Sequence, residues 1–152
     1  MATAPMIERL ASIPFFAGLA PAHLAVVASC ATPVQFAAGS YILLEGQEAQ
    51  AFYAITDGRV AVTVPTGRDE ATTIETLGGG EVLGWSWLVP PHRVAFDALA
   101  LTPVAGLAFA GAELRQRCEG DAVFGFAILQ RVASVYLQRL HATRRRLLES
   151  YV

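Results

Sequence analysis

The residues best suited to chemistry cluster in the middle of the chain. Arg93 follows His92 and the pair Pro90-Pro91, and the indoles of Trp85 and Trp87 flank Ser86 just upstream. A guanidinium pairs with a carboxylate or phosphate, and a neighbouring imidazole adds a proton-sensitive contact to the same anion. The indoles either stack on a flat ligand or fill the space such a ligand would take, filling being the default for aromatic side chains. Catalysis finds no support. Ser86 has only His92 near it and no orienting acid at a legible spacing, and neither paired carboxylates nor a glycine-rich nucleotide loop is present. Gly78 to Gly80 precede neither a Lys nor a helix and read as a turn. The chain reads as non-enzymatic, with no catalytic residue. Cys30 and Cys118 form no metal knuckle with any His, so no metal site is expected, and both read as reduced, mostly buried thiols.

At 152 residues, with 54% hydrophobic and 16% charged, the chain suits one domain, 1–152, with a substantial core. Its net charge of −2 calls for no polyanionic partner. The charge is uneven: residues 1–112 carry four Arg against nine acids (−5), and 113–152 carry seven Arg against four acids (+3). The first ten residues lack a basic start followed by an apolar core, and the longest apolar run, 104–112, falls short of the ~18 residues a membrane helix needs. A cytoplasmic protein with no membrane partner is expected.

These groups need a scaffold, and its elements follow from periodicity. Short helical patterns cover residues 7–13, stopped by Pro14, and 21–31, opened by Pro21. From 33 to 110, short apolar or β-branched runs alternate with turn residues every eight to twelve positions, the spacing of an antiparallel barrel or sandwich. Asp57-Gly58 is the strongest hairpin signal. A short helix over 112–117 then leads to a long one over about 121–150, part of a helical region at 111–152. Along it Phe126, Leu129, Ala133, Leu137, Leu140, Leu147 and Tyr151 recur at steps of three and four, with Arg144 the polar interruption. Such a seam pairs helices, so a homodimer is expected. Phe124, Ile128, Val132, Val135 and Tyr136 widen the apolar face of the first half, which should also touch the barrel.

Three stretches carry a resemblance. Ile13-Pro14-Phe15-Phe16-Ala17-Gly18-Leu19 forms an entry turn, Phe36 to Ile42 a strand, and the run from Ile42 through Glu45-Gly46-Gln47 to Thr56-Asp57-Gly58 a strand, glycine, hydrophobic run and second glycine. Together they resemble the cyclic-nucleotide-binding domains of the catabolite-activator (Crp/Fnr-like) superfamily, over residues 7–150. The resemblance implies a mainly β fold, an antiparallel β-roll or jelly roll with short N-terminal helices and a long C-terminal helix. It also implies a bacterial regulatory or sensor module in signal transduction, here without a following helix-turn-helix and so without direct DNA binding, acting on an unidentified effector protein. Arg144-Arg145-Arg146 is explained by the negative end of the helix dipole and solvation.

That superfamily's second signature holds the ligand. Gly84-Trp85-Ser86-Trp87-Leu88 and Arg93-Val94-Ala95, with His92, stand in its place and form the expected pocket. The resemblance implies a glutamate accepting from the ribose 2′-OH and an arginine pairing with the cyclic phosphate. Trp85 occupies the glutamate position, and an indole donates without accepting. The lost charge-assisted bond is worth about 1.5–3 kcal/mol, or about one to two decades in affinity. Val94 replaces the Ser/Thr donor beside the arginine, and Pro90 and Pro91 lack N–H groups. Arg93 is either the surviving anion ligand or a surface residue, because two registers compete. Matching the family motif turns Ala95, Asp97 and Leu99 inward, whereas burial turns Phe96, Ala98 and Ala100 inward. The second avoids burying Asp97 and is preferred. The expected function is a sensor with a diverged cassette, its ligand none, a cyclic nucleotide (cAMP or cGMP) or another small anion. The alternative is a ligand-free interaction or assembly domain with Trp85 and Trp87 plugging the pocket.

Overall fold

The computed structural model describes residues 4–151. Helix α1 (Ala4–Ala11) and a 3-10 turn (Pro14–Phe16) lead to α2 (Pro21–Ser29), where Pro21 sits at the first helical turn and needs no N–H partner. Eight strands follow: β1 (Ala31–Phe36), β2 (Tyr41–Leu43), β3 (Ala51–Asp57), β4 (Val60–Gly67), β5 (Glu70–Leu77), β6 (Val82–Leu83), β7 (Asp97–Ala100) and β8 (Val104–Ala110). They form two four-stranded antiparallel sheets, ordered β1-β8-β3-β6 and β2-β7-β4-β5. Helices α3 (Gly111–Gly120) and α4 (Ala122–Glu149) complete the chain. This is the expected mainly antiparallel β-roll with short leading helices and one long terminal helix.

Three local expectations are corrected, the first being that α1 spans Ala4–Ala11 rather than 7–13. The second helix stops at Ser29 rather than 31, and Ala31 already opens β1, which contains Pro33. A strand proline is tolerated because β1 lies at a sheet edge, bonded only to β8. Asp57-Gly58 is not a hairpin, for β3 and β4 lie in different sheets. It is a corner at which the chain changes sheet. Gly58 has φ +104°, and a Cβ there would sit 2.5 Å from the Pro103 carbonyl. The true hairpin joins β4 to β5, pairing Gly67 with Glu70 and holding Asp69 at φ 62°. Gly58→Ala combines strain at positive φ with a backbone clash and is expected to cost about 2–3 kcal/mol, read from the urea midpoint. A change below ~0.5 kcal/mol would refute the corner's tightness.

Between the sheets the core is aromatic. Phe52 stacks on Phe109 at 4.5 Å and Phe16 packs on Phe109 at 5.4 Å, all three buried. Asp121 caps α4, its carboxylate accepting from the Val123 and Phe124 N–H groups at 3.1 and 3.2 Å. The 28 residues of α4 give a rod of about 42 Å. Its first half buries Phe124, Ile128 and Val132, with Val135 half-buried, as the wide apolar face predicts, whereas Tyr136, expected with them, is exposed. Farther along, polar contacts take over. Arg131 donates to the Ala17 carbonyl at 2.9 Å, and Arg139 pairs with Glu75 at 3.2 Å and donates to the Val82 carbonyl. The opposite face of α4, with Phe126, Leu129, Ala133, Leu137, Leu140 and Leu147, is exposed, as is Tyr151 beyond it.

Candidate functional site

The site starts at Gly84, whose φ of +93° turns the chain from β6 into the 3-10 turn Trp85–Trp87. A Cβ there would meet the Ala51 carbonyl at 3.3 Å and the Phe52 Cα at 3.4 Å, so glycine lets the turn lie directly on β3. Both indoles point into the core. Trp85, 3% exposed, lies between Phe15 and Phe52 at 4.8 Å from each, and Trp87, 0% exposed, stacks on Phe52 at 5.4 Å and 15°. The Trp87 carbonyl accepts from Arg115 at 2.6 Å, which ties the turn to α3. Neither indole N–H has a hydrogen-bond partner among the described residues.

Past Pro90 and Pro91 the chain is laced to the loop after β2. The Ala49 N–H donates to the His92 carbonyl, Val94 N–H to the Gln47 carbonyl, and Gly46 N–H to the Val94 carbonyl, each at 2.8 Å. Val94, Ala98 and Ala100 are buried and Phe96 half-buried, while Ala95 faces out, so the register is the one burial prefers. Asp97 is spared an unpaired interior, accepting from the Glu45 N–H at 2.8 Å. Arg93 is exposed and makes no ion pair among the described residues.

A cleft of about 380 Å³ opens between this cassette and α4. Of the nine residues expected to form the pocket, Trp85, Ser86, Leu88 and Arg93 line it. Gly84, Trp87, His92, Val94 and Ala95 do not: Gly84, Trp87 and Val94 are spent on packing, Ala95 faces solvent, and His92 is held at φ 58° with its Nε2 buried and unpartnered. Leu129, Val132, Ala133 and Tyr136 supply the far wall from α4. Sequence reading placed Val132 and Tyr136 on a face too wide for one partner but not opposite the cassette, a juxtaposition only topology creates. Burial pushes the Tyr136 phenol up, with Arg139 opposing, so it stays protonated at neutral pH. A second groove, about 620 Å³, lies on the other flank of α4, bounded by Pro14 and Phe15 of the first 3-10 turn, Gly79, Gly80 and the latching arginines 131 and 139, which sequence reading missed. Burial likewise raises the thiol pKa of Cys30, which is buried, and of half-buried Cys118. Among the described residues no three His, Cys, Asp or Glu gather for a metal, and no helix is long and apolar enough to cross a membrane.

An antiparallel β-roll with short leading helices and one long terminal helix is the fold shared with solved cyclic nucleotide-binding domains. Residues 33–121 match the family described as Cyclic nucleotide-binding domain, and the chain belongs to that family. It is 32% identical over 100 residues to cGMP-dependent protein kinase, isozyme 1, of Drosophila melanogaster, a match spanning 64% of this chain and 13% of the kinase. A solved chain from Geobacter metallireducens GS-15, assigned to the cyclic nucleotide-binding proteins, superposes with a TM-score of 0.80 at 29% identity, covering 88% of this chain and 97% of that one. A cyclic nucleotide-binding domain from Methylobacillus flagellatus KT shares the fold, with a TM-score of 0.80 at 18% identity, covering 95% and 82%.

Proposed function

We propose that this chain is a non-enzymatic regulatory module that senses a small anion in the cleft between the cassette and α4 and signals through a dimerising α4. The observation behind this reading is Arg93, an unpaired guanidinium on a cleft whose other wall is the long helix. An occupant there touches both the roll and α4, so filling the cleft shifts the balance between two packings of the helix, and an effector protein reads the change. The similarity to a cGMP-dependent kinase makes cGMP, with cAMP, the first ligand to try. The indole at the ribose-binding position weakens either by about one to two decades against a site with a carboxylate.

Isothermal calorimetry with cAMP and cGMP tests this. Micromolar binding that Arg93→Ala abolishes supports a nucleotide sensor, and silence at millimolar nucleotide removes both nucleotides as ligands. A second reading, a ligand-free assembly domain, is favoured by the burial of both indoles within the roll. It predicts that no small anion changes the unfolding temperature.

A further inference from the structure

We infer that the cleft between the cassette and α4 takes an apolar monocarboxylate, a medium-chain aliphatic or an aromatic acid, with its carboxylate on Arg93. This rests on the reading that the cleft is the ligand site. Leu88, Val89 and Pro90 on one wall and Leu129, Val132 and Ala133 on the other carry no hydrogen-bonding side chain. The polar groups are mainly donors. Arg93 is exposed and makes no ion pair among the described residues, while the indole of Trp85, also in the lining, packs inward between Phe15 and Phe52. Tyr136, on the α4 wall, keeps its phenolic proton and adds a second donor. Among the described residues no carboxylate or amide side chain lines the cleft, so its side-chain acceptors are the hydroxyls of Ser86 and Tyr136.

Such a lining selects by what it leaves unpaired. A cyclic nucleotide brings a ribose hydroxyl and base N–H groups that seek acceptors, and burying them without partners costs affinity. A simple acid brings acceptors at one end and nothing polar elsewhere. Its carboxylate meets the guanidinium fork in a bidentate pair, and its hydrocarbon covers Leu129 and Val132. Leu129 and Ala133 also belong to the exposed seam of α4, so the occupied cleft presents a different face to a second copy.

Calorimetry on the full chain with hexanoate, octanoate and decanoate, below their micellar concentrations, tests the inference. Affinity should rise about fourfold per added methylene as hydrocarbon leaves water. Arg93→Ala should weaken octanoate at least tenfold with the unfolding curve unchanged, Arg93→Lys should recover part of the loss, and octylamine should not compete. Affinity flat along the series, octanoate indifferent to Arg93→Ala, or octylamine binding equally well would overturn it. Nucleotide binding that depends on Arg93, with octanoate silent, overturns the inference and keeps the cleft as the ligand site. Silence from acids and nucleotides alike overturns both.

Discussion

Trp87→Ala is expected to destabilise the fold by about 3–5 kcal/mol, the range for truncating a fully buried tryptophan. A domain of this size loses roughly 2–4 °C of Tm per kcal/mol, so the midpoint should fall by about 6–20 °C, read by circular dichroism. The indole has no exposed surface, stacks on Phe52, and extends the line that continues to Phe109. It is also wedged against α3: a Cβ on Gly111 would lie 2.6 Å from the Trp87 Cβ. Truncation therefore opens a void between the roll and the helices instead of letting a loop relax. Free indole, which fits a dry apolar void of that shape, should restore part of the lost Tm. Ser86→Ala, one residue away and half-buried, its side chain without a hydrogen bond among the described residues, should stay within about 0.5 kcal/mol. A Trp87→Ala loss below 1 kcal/mol would mean that the cassette packs loosely and that the indole is not part of the core.

How the cassette divides between packing and binding explains which parts were legible beforehand. The family resemblance located the cassette, because Gly84 and the two indoles stand where the ligand signature does. The register of the strand after it was legible too, since only one choice keeps Asp97 out of the interior and Ala98 and Ala100 within it. The long helix announced itself through steps of three and four, and its inner face was predicted almost residue for residue. What sequence could not supply was adjacency between distant segments. Asp57-Gly58 signals a positive-φ turn, yet the same signal serves a hairpin or a corner between sheets, and only strand pairing separates them. The cleft's far wall, from Leu129 to Tyr136, lies far down the chain from Arg93 and meets it through the packing of Phe124, Ile128 and Val132. Arg131 and Arg139 look like ordinary surface charges on a helix until Ala17, Val82 and Glu75 are seen beside them.

The exposed seam of α4 leads to the second large effect: the double change Leu137→Glu with Leu140→Glu should convert a dimer to a monomer at tens of micromolar, measured by analytical sedimentation. Phe126, Leu137 and Leu140 are 62%, 55% and 54% exposed in the single chain, too much contiguous apolar surface to leave in water on a helix this long. Burying a leucine is worth about 1.5–3 kcal/mol, so two per chain and four per dimer supply roughly 6–12 kcal/mol, the order of an association between tens of micromolar and nanomolar before its entropic cost. Glutamate at these places removes that term and sets four like charges across the seam. The roll should not notice, because the inner face of α4 holds on through Phe124, Ile128 and Val132 and through the Arg139 to Glu75 pair, none of which is altered. Two signatures follow: the unfolding midpoint of the parent chain rises with concentration, and that of the double variant does not. A parent chain that sediments as a monomer, or a dimer that survives both glutamates, would take pairing out of the signalling scheme and leave α4 as a one-sided lid on the cleft.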